Sequence, residues 1–421
     1  MPSFGSLGGS LTVSQPVKTF LPDSYLGIGQ MQRVAPEVPQ FSVQFNYGKE
    51  PFYFGEITSG AGVATHDPDM SAVKMEVGTA SGDRVYRQSH MHLRYQPGIT
   101  NLIDFSFVGV APKENLRYRV GAFFEKDGVF FEQSGSSLYF VIRSSATGTI
   151  DETTKRAERA DWNIDKLDGT GLSGKTLDLT KGQLLIIEYL WLGVGPVRFG
   201  FEIDGERIWA HQFNNQDLPR PYMATGNLPL AIEIENTGVT SSPSEIFQIC
   251  CTNKSQGGVN YKDIPGSVFS ITMTATKAIT NSSWFPILSI RHRDTVGGKT
   301  NYAQIIPKVL STIATGGRDA IWEAFYNPTL TGASWSNVHP SSHVEFDIAA
   351  TAMDISNAVA LYPKYGEGGR ANQIDDVARE IKATLVRLLD GTRPILTIAA
   401  RTFSAAGNNV AAGINWKELA D

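Results

Sequence analysis

The sequence contains one complete match to a phosphate-binding motif. Residues 169–176 read Gly-Thr-Gly-Leu-Ser-Gly-Lys-Thr and fit the pattern GxxxxGK(S/T) at every specified position. Such a loop binds phosphate where a buried strand precedes it and a helix follows it, because backbone N–H groups and the helix dipole then point at the anion. Residues 162–168 are not an apolar strand, and residues 177–183 lead into a strand instead of a helix. We therefore interpret the match as a surface loop between strands.

Two histidines, His90 and His92, are spaced so that a strand would place both imidazoles on one face. Some metal sites use this spacing, but a zinc site needs further ligands and none of obvious type is nearby. A metal at these two residues stays open, and partly buried or surface histidines are the favoured interpretation.

Four glutamates could supply the carboxylate pair that glycoside hydrolysis requires. Glu233 and Glu235 share one face of a predicted strand, and Glu188 and Glu202 lie in neighbouring strands. The reaction needs one raised pKa and a separation of ~5 to 10 Å across a sugar-sized cleft. Polar outer faces are common on antiparallel sheets, so a solvated face is favoured. With no GxSxG elbow and no Cys-His arrangement, we predict no catalytic, cofactor-binding or metal residues and no enzymatic activity.

The seven tryptophans are scattered without a stripe. Some could stack on sugars, but most are expected in the core or as inter-subunit anchors, where large rings contribute most. The two cysteines, Cys250 and Cys251, are adjacent and cannot connect distant parts of the chain, which excludes a disulfide-rich scaffold and a CxxC zinc site. Both are expected to be reduced or inert.

The composition of the 421-residue chain limits the classes of partner that it can have. Lys and Arg total 37 against 42 Asp and Glu, a net charge of -5, and no basic cluster is visible in the sequence. A nucleic-acid partner is therefore not expected. No apolar run approaches the ~20 residues of a membrane span, and the N-terminus has no secretory signal pattern, so a soluble protein without membrane insertion is expected.

Strand patterns dominate from about residue 70. Residues 117–142 predict three short strands separated by Asp127-Gly128 and Ser134-Gly135, a β-meander. Residues 197–203 alternate apolar and polar side chains, Asp204-Gly205 turns the chain back, and 230–235 repeat the alternation. Residues 184–191 are almost continuously apolar, as in a strand covered on both faces. Many short strands predict an antiparallel sandwich of jelly-roll or concanavalin-like type.

The stretch at residues 255–266, with Gly257-Gly258 and Pro265-Gly266, marks the best domain boundary and is followed by new alternating runs. We predict an all-β chain with an extended N-terminal attachment arm at 1–45, a large β-sandwich at 46–258 and a smaller one at 259–421. One helix is also predicted within the second sandwich, although the same residues could form two strands. Its apolar positions are Ile374, Val377, Ile381, Leu385 and Leu388.

A set of short motifs runs through residues 70–420. They are MEVGTA (75–80), RQS (87–89), RYQPG (94–98), WNIDKLDG (162–169), WLGVG (191–195), VRFG (197–200), PYM (221–223), NLP (227–229), EIENTG (233–238), LSIR (288–291) and PILTIAAR (394–401). This set resembles a family of virion structural proteins that occurs in tailed bacteriophages, notably aquatic ones, and in some large DNA viruses. The resemblance implies a β-rich, non-enzymatic particle component and explains the loop at 169–176 as framework.

The expected function follows from this resemblance together with the absence of a catalytic set. It is a virion protein, expected to be trimeric by symmetry, that joins other phage proteins of the head or tail through the arm. The alternative is a host-recognition module that binds surface glycans with exposed aromatic residues. A polysaccharide-degrading tail enzyme ranks last.

Overall fold

The structure is a computed structural model that describes residue 28 and residues 36–260, 263–280, 283–367, 371–374, 384–403 and 407–420. Within these residues the chain forms antiparallel sheets and no α-helix. Nor do they contain a helix long and apolar enough to cross a bilayer. The sequence prediction of an all-β fold with two antiparallel β-sandwiches is confirmed.

The first sandwich consists of an eight-stranded sheet, sheet A, and a seven-stranded sheet, sheet B. Its strands are β1 Glu37–Gln44, β2 Phe54–Ser59, β3 Val63–Asp67, β4 Ala72–Val77, β5 Arg84–Ser89, β6 Asn101–Val108, β7 Leu116–Phe123, β8 Gly128–Ser134, β9 Ser137–Arg143, β10 Arg156–Glu158, β11 Gly182–Tyr189, β12 Val197–Ile203, β13 Glu206–Phe213, β14 Leu230–Asn236 and β15 Ser244–Gln256. The order in sheet A is β13-β12-β11-β6-β15-β4-β3, with β1 also on β15, and in sheet B it is β10-β9-β8-β7-β14-β5-β2.

The second sandwich consists mainly of a five-stranded sheet, sheet C, and a six-stranded sheet, sheet D. Its strands are β16 Ser267–Thr272, β17 Lys277–Ile279, β18 Phe285–His292, β19 Thr295–Val296, β20 Lys299–Thr300, β21 Gln304–Ala314, β22 Ala320–Tyr326, β23 Thr329–Thr331, β24 Ser336–Asn337, β25 Val344–Asp347, β26 Ala352–Asp354, β27 Val359–Gly366, β28 Ala371–Ile374, β29 Leu396–Thr402 and β30 Asn408–Leu419. Sheet C has the order β16-β30-β21-β28, with β17 also on β30, and sheet D the order β24-β25-β18-β29-β22-β27.

The hairpin of β12 and β13 shows why these residues form strands. Val197, Phe199 and Phe201 are fully buried, because alternate side chains of a strand point to opposite faces and these three point into the core. Asp204 and Gly205 both have positive φ, 54° and 78°, as a two-residue turn of the primed type requires. The predicted turn and strand pair are therefore confirmed, as is the meander β7-β8-β9.

Each sandwich has its own core. One cluster of buried residues extends from Phe41 to Cys251 and the other from Ile279 to Trp416. Strand β11 is buried on both faces, as its apolar run predicts: Leu185 and Ile187 join the first core, while Ile186 packs outside it against Leu102 and Trp209.

Two sequence predictions need correction. The arm expected over 1–45 lies largely outside the described residues, and its last part is not an arm: Glu37–Gln44 is β1, which pairs with β15 over seven positions. The predicted helix lies partly outside the described residues, and its described ends are not helical. Ile374 ends β28, and Leu385 exchanges backbone hydrogen bonds of 2.9 and 3.0 Å with Ile305. The strand pairing satisfies backbone groups that a helix would otherwise pair internally.

Candidate functional site

The outer face of sheet B concentrates charged side chains from strands far apart in sequence. Strand alternation turns the apolar residues of β7 and β14 into the core and leaves their polar residues outside. Because β14 lies between β7 and β5, and β8 and β9 continue beyond β7, arginines and glutamates from all of these strands meet. Together with Arg156 of β10 and Glu152 after β9 they form the Arg–Glu network: Arg84, Arg117, Arg119, Arg143, Arg156, Glu132, Glu152, Glu233 and Glu235.

Arg119 is the centre of this network. Its side chain is 6% exposed and forms ion pairs with Glu132 at 2.6 Å, Glu152 at 2.8 Å and Glu233 at 3.4 Å. A guanidinium can do this because its five N–H donors are fixed in a planar fork. Each of the other four arginines is also paired with a glutamate of the network. The fold thus brings together arginines that are far apart in the sequence. The glutamates of the network neutralise their charge.

Aromatic rings lie beneath the arginines. Phe130 is fully buried, and the guanidinium carbons of Arg119 and Arg143 each lie 5.2 Å from its ring centroid. Arg156 lies 3.8 Å from the ring centroid of Tyr139. These cation–π contacts hold the three arginines against the sheet. The result is a layered face, with rings below and paired charges above, that borders a shallow pocket of about 250 Å³.

The network decides the protonation of its buried glutamates. Burial alone would raise the pKa of Glu233, but Arg84 and Arg119 outweigh it and the pKa is lowered. The same holds for Glu132, whose pKa is lowered by Arg119 and Arg156 against the effect of burial. A general acid in glycoside hydrolysis needs a raised pKa. Glu233 lacks this property, and Glu235 is itself paired with Arg117 at 2.5 Å.

The other two candidate glutamates lie on the opposite outer face of the sandwich, on sheet A. Glu188 is fully buried and pairs with Arg198 at 2.5 Å. Glu202 lies opposite Leu184, four residues from Glu188 along β11, which corresponds to roughly 13 Å. This exceeds the ~10 Å limit of a hydrolytic carboxylate pair. The structure therefore brings the four glutamates together only as the pair Glu233 and Glu235.

The loop at residues 169–176 lies between β10 and β11, with a strand after it, as predicted. Asp168 forms a bridge with Thr176 across its base, and Lys175 pairs with Asp204 at 2.7 Å. The lysine that would bind phosphate is thus engaged by a carboxylate of the β12–β13 turn. Leu172 at the tip is 97% exposed, so the loop is a surface hairpin.

His90 and His92 do not form a metal site with other described residues. No group of three His, Cys, Asp or Glu positioned for a metal occurs in the described part of the chain. His90 bonds the carbonyl of Pro51 at 3.1 Å, and His92 stacks on Tyr302 with ring centroids 4.1 Å apart. Burial lowers the pKa of His92 to about 3, so the ring is neutral at physiological pH. Both rings thus contact neighbouring residues of the fold.

His92 lies at the junction of the two sandwiches. Gln304 of the second sandwich donates to its carbonyl at 2.7 Å, and Leu389 packs against the cluster of Tyr86 and Phe123 on sheet B. A Cβ at Gly55 would approach the Cβ of Leu389 to 2.9 Å, so only glycine permits this contact. The sandwiches are therefore packed directly against each other.

Most of the tryptophans are buried, as predicted for core residues. Trp162, Trp209, Trp322 and Trp416 are buried, and the other three are half-buried. Cys251 is buried and Cys250 half-buried, and both are free. Burial raises the pKa of the Cys251 thiol, which agrees with an inert cysteine.

An exposed aromatic patch follows β1. The root patch consists of Tyr47, Phe52 and Tyr53, which are 96%, 59% and 38% exposed. Phe52 lies 6.4 Å from Tyr326 of the second sandwich, so the patch reaches the junction. Exposed aromatic residues are typical of interaction surfaces. The sequence analysis missed this patch, because its tyrosines and phenylalanine lie in a turn that shows no periodicity.

No protein-family model matches the chain, and no curated protein matches it. Among solved structures, the chain is similar to a legume lectin-like domain from Entamoeba histolytica (TM-score 0.33, 9% identity, 52% of this chain and 98% of that one). It is also similar to a β-glucanase of Bacillus licheniformis (0.34, 9%, 52% and 98%) and to a protein of unknown function from Shewanella oneidensis MR-1 (0.35, 8%, 62% and 99%). At TM-scores this low, the similarities carry no argument about function.

Proposed function

We propose that the chain is a non-enzymatic structural protein of a tailed-phage virion, which assembles with its own copies, as a trimer, and with other head or tail proteins. The root patch is the observation that carries this proposal. Three aromatic residues stand exposed beside the strand to which residues 1–36 connect, and aromatic residues are enriched in the interfaces of protein assemblies.

Two further features support an assembly role. Strand β1 pairs with β15 over seven positions in sheet A. A force applied through the residues before β1 would therefore be shared by many backbone hydrogen bonds. The junction through His92 and Tyr302 packs one sandwich on the other, which suits a module that holds neighbours at fixed spacing. The carboxylates of the Arg–Glu network are held by arginines, as in a structural face.

The test is to purify particles from the source culture and examine them by cryo-electron microscopy and mass spectrometry. We expect the chain in the particle fraction, with density for two packed sandwiches that repeats with the head lattice or at a tail ring. Particles that lack the chain, together with a purified chain that stays monomeric, would contradict the proposal.

A second experiment locates the attachment surface. Purified chain is added to particles from which it has been stripped, and co-sedimentation is measured. We expect binding to fall at least tenfold for Tyr47→Ser with Phe52→Ser and for a chain that begins at residue 36. Leu172→Ser, equally exposed on the 169–176 loop, is the matched control and should bind normally.

A further inference from the structure

The outer face of sheet D carries a second group of aromatic residues, at the side of the sheet where β27 is the edge. Trp322 and Ala324 of β22 point into the second core, so Ile321 and Glu323 point outward. Ile321 lies opposite both Tyr365 and Arg401, which places these three side chains in one row across β27, β22 and β29. Phe403 follows Arg401 by two residues on the same side.

Four rings and one guanidinium make up this surface, which we name the aromatic shelf. Tyr365 and Phe403 are 72% and 60% exposed, with ring planes 20° apart and centroids 5.9 Å apart. Trp284 packs edge-on against Phe325 at 5.3 Å, and Arg401 lies 4.8 Å from the ring centroid of Trp284. Arg401 thus lies on the half-buried ring of Trp284, which in turn packs against the buried ring of Phe325.

The polar groups of the shelf are only partly satisfied within the described residues, where the carboxylate of Glu323 accepts one backbone hydrogen bond, from Tyr362. The side chain of Arg401 has no hydrogen-bond or ion-pair partner among the described residues, and its Nε is buried without one. One carboxylate oxygen of Glu323, Oε1, is also buried without a partner. Burial raises the pKa of Glu323. Unpaired buried polar groups are uncommon and each needs an explanation.

Arg291 on the same sheet shows what a purely structural arginine looks like there. It lies 3.9 Å from the ring centroid of Trp335, much as Arg401 lies on Trp284. Arg291, however, also pairs with Glu345 at 2.6 Å. Arg401 has no such partner within the described residues, so these two arginines of sheet D differ.

We propose that the aromatic shelf is a carbohydrate-binding site. A pyranose ring has an apolar face of C–H bonds, which carry slight positive charge and are attracted to the negative face of an aromatic ring. The same ring carries hydroxyl groups at its edge, which both donate and accept hydrogen bonds. Tyr365 and Phe403 offer the stacking surface, and Arg401 offers donors beside it.

A protein partner fits the shelf less well. Two exposed rings cover far less than the ~800 Å² per partner of a standard protein interface. An apolar partner surface would also cover Arg401 and Glu323 without supplying hydrogen bonds, at a cost in free energy. A sugar meets both requirements, because its ring faces are apolar and its rim is polar.

The test is calorimetric titration of the full chain with hexasaccharides of glucose, N-acetylglucosamine, mannose and galacturonate. We expect at least one to bind at one site per chain. Tyr365→Ala and Phe403→Ala should each weaken binding about tenfold, whereas Tyr365→Phe, which keeps the ring, should retain it. Ile150→Ala is the matched control, since Ile150 is 59% exposed on the first sandwich and should leave affinity unchanged.

Failure has distinct forms. If none of the four hexasaccharides binds, or if Phe403→Ala binds as tightly as Ile150→Ala, the proposal is wrong. Sedimentation velocity of the same variants tests the other occupant: an oligomer that dissociates in Phe403→Ala, without sugar binding, assigns the shelf to a second copy of the chain. None of these results depends on whether the chain is found in virions.

Discussion

The Arg–Glu network of sheet B and the aromatic shelf of sheet D both place arginines on aromatic rings at the outer face of a sheet. In the network, each arginine is also paired with a glutamate, and Arg119 is paired with three. On the shelf, Arg401 has no such partner in the described part of the chain. Buried charges need partners inside the protein, whereas half-exposed ones remain available to a ligand. The Arg–Glu network therefore stabilises the fold, whereas the arginine of the aromatic shelf remains available to the carbohydrate that we propose.

Removal of the central arginine should give the largest difference between the two faces. Arg119→Ala leaves the buried Glu132 and Glu233 short of a cation and should lower the free energy of unfolding of the first sandwich by about 3 to 5 kcal/mol. Arg401→Ala breaks no ion pair and should change stability by about 0.5 kcal/mol or less. Urea unfolding measures both, and hydrogen exchange at β7 and β22 assigns each loss to its sandwich.

Arg119→Lys is the control for charge, because it keeps the cation but loses the planar fork. The free energy of unfolding of Arg119→Lys should lie between those of wild type and Arg119→Ala. Equal losses for Arg119→Ala and Arg401→Ala would show that the ion pairs of the network contribute no more than the lone arginine of the shelf.

The next largest effect concerns pH at the network. The pKa of Glu132 is lowered in the folded state, so its stabilising contribution is present above the unfolded pKa of about 4.3 and is lost as pH falls through the folded value. Glu132→Gln should therefore cost about 1 to 3 kcal/mol at pH 7, because a buried charge-assisted bond is lost. The difference from wild type should shrink below about pH 4.3, as measured by urea unfolding at a series of pH values.

Glu323 on the shelf should show the opposite sign. Burial raises its pKa, so its contribution to stability is present below the unfolded pKa and is lost as pH rises through the folded one. Glu323→Gln should then be at least as stable as wild type at pH 7, and the two should converge in acid. A loss of stability at pH 7 would mean that the hydrogen bond from the backbone of Tyr362 to the carboxylate outweighs the cost of burying its charge.

The sequence predicts the individual strands well, but it does not predict which strands lie side by side and so which side chains share a face. Alternation places Glu233 and Glu235 on one side of β14, and the structure confirms it. Their partners, however, come from β5 and β7, and Arg84 lies 149 residues from Glu233. That proximity follows from strand order, which no local pattern encodes. For the same reason Tyr365 of β27 and Phe403, which directly follows β29, could not be recognised as a pair, since β22 lies between these strands.

The helix prediction is wrong at its described ends for a related physical reason. Apolar residues three and four apart, such as Ile381 and Leu385, fit one face of a helix, but they also fit short strands joined by a turn. The backbone of Leu385 pairs with Ile305, which lies 80 positions earlier in the chain. Tertiary pairing of this kind overrides a local preference, because it supplies both hydrogen bonds and burial.

The smallest expected effect is the difference between replacing Phe130, beneath the network, and replacing Phe403, on the shelf. Phe130→Leu keeps much of the buried volume of Phe130 but removes the ring on which Arg119 and Arg143 lie. It should cost about 1 to 1.5 kcal/mol in the free energy of unfolding, whereas Phe403→Leu should change it by about 0.5 kcal/mol or less.

The two leucine variants also separate stability from binding. Because Phe403 is 60% exposed, its ring adds little to the second core, and a stacking role predicts that Phe403→Leu weakens sugar binding while the unfolding curve is unchanged. Phe130→Leu should do the reverse, with a lower unfolding midpoint and unchanged sugar affinity. If Phe403→Leu instead lowers the midpoint as much as Phe130→Leu does, the ring packs as a structural residue, and the distinction between a closed network and an open shelf disappears.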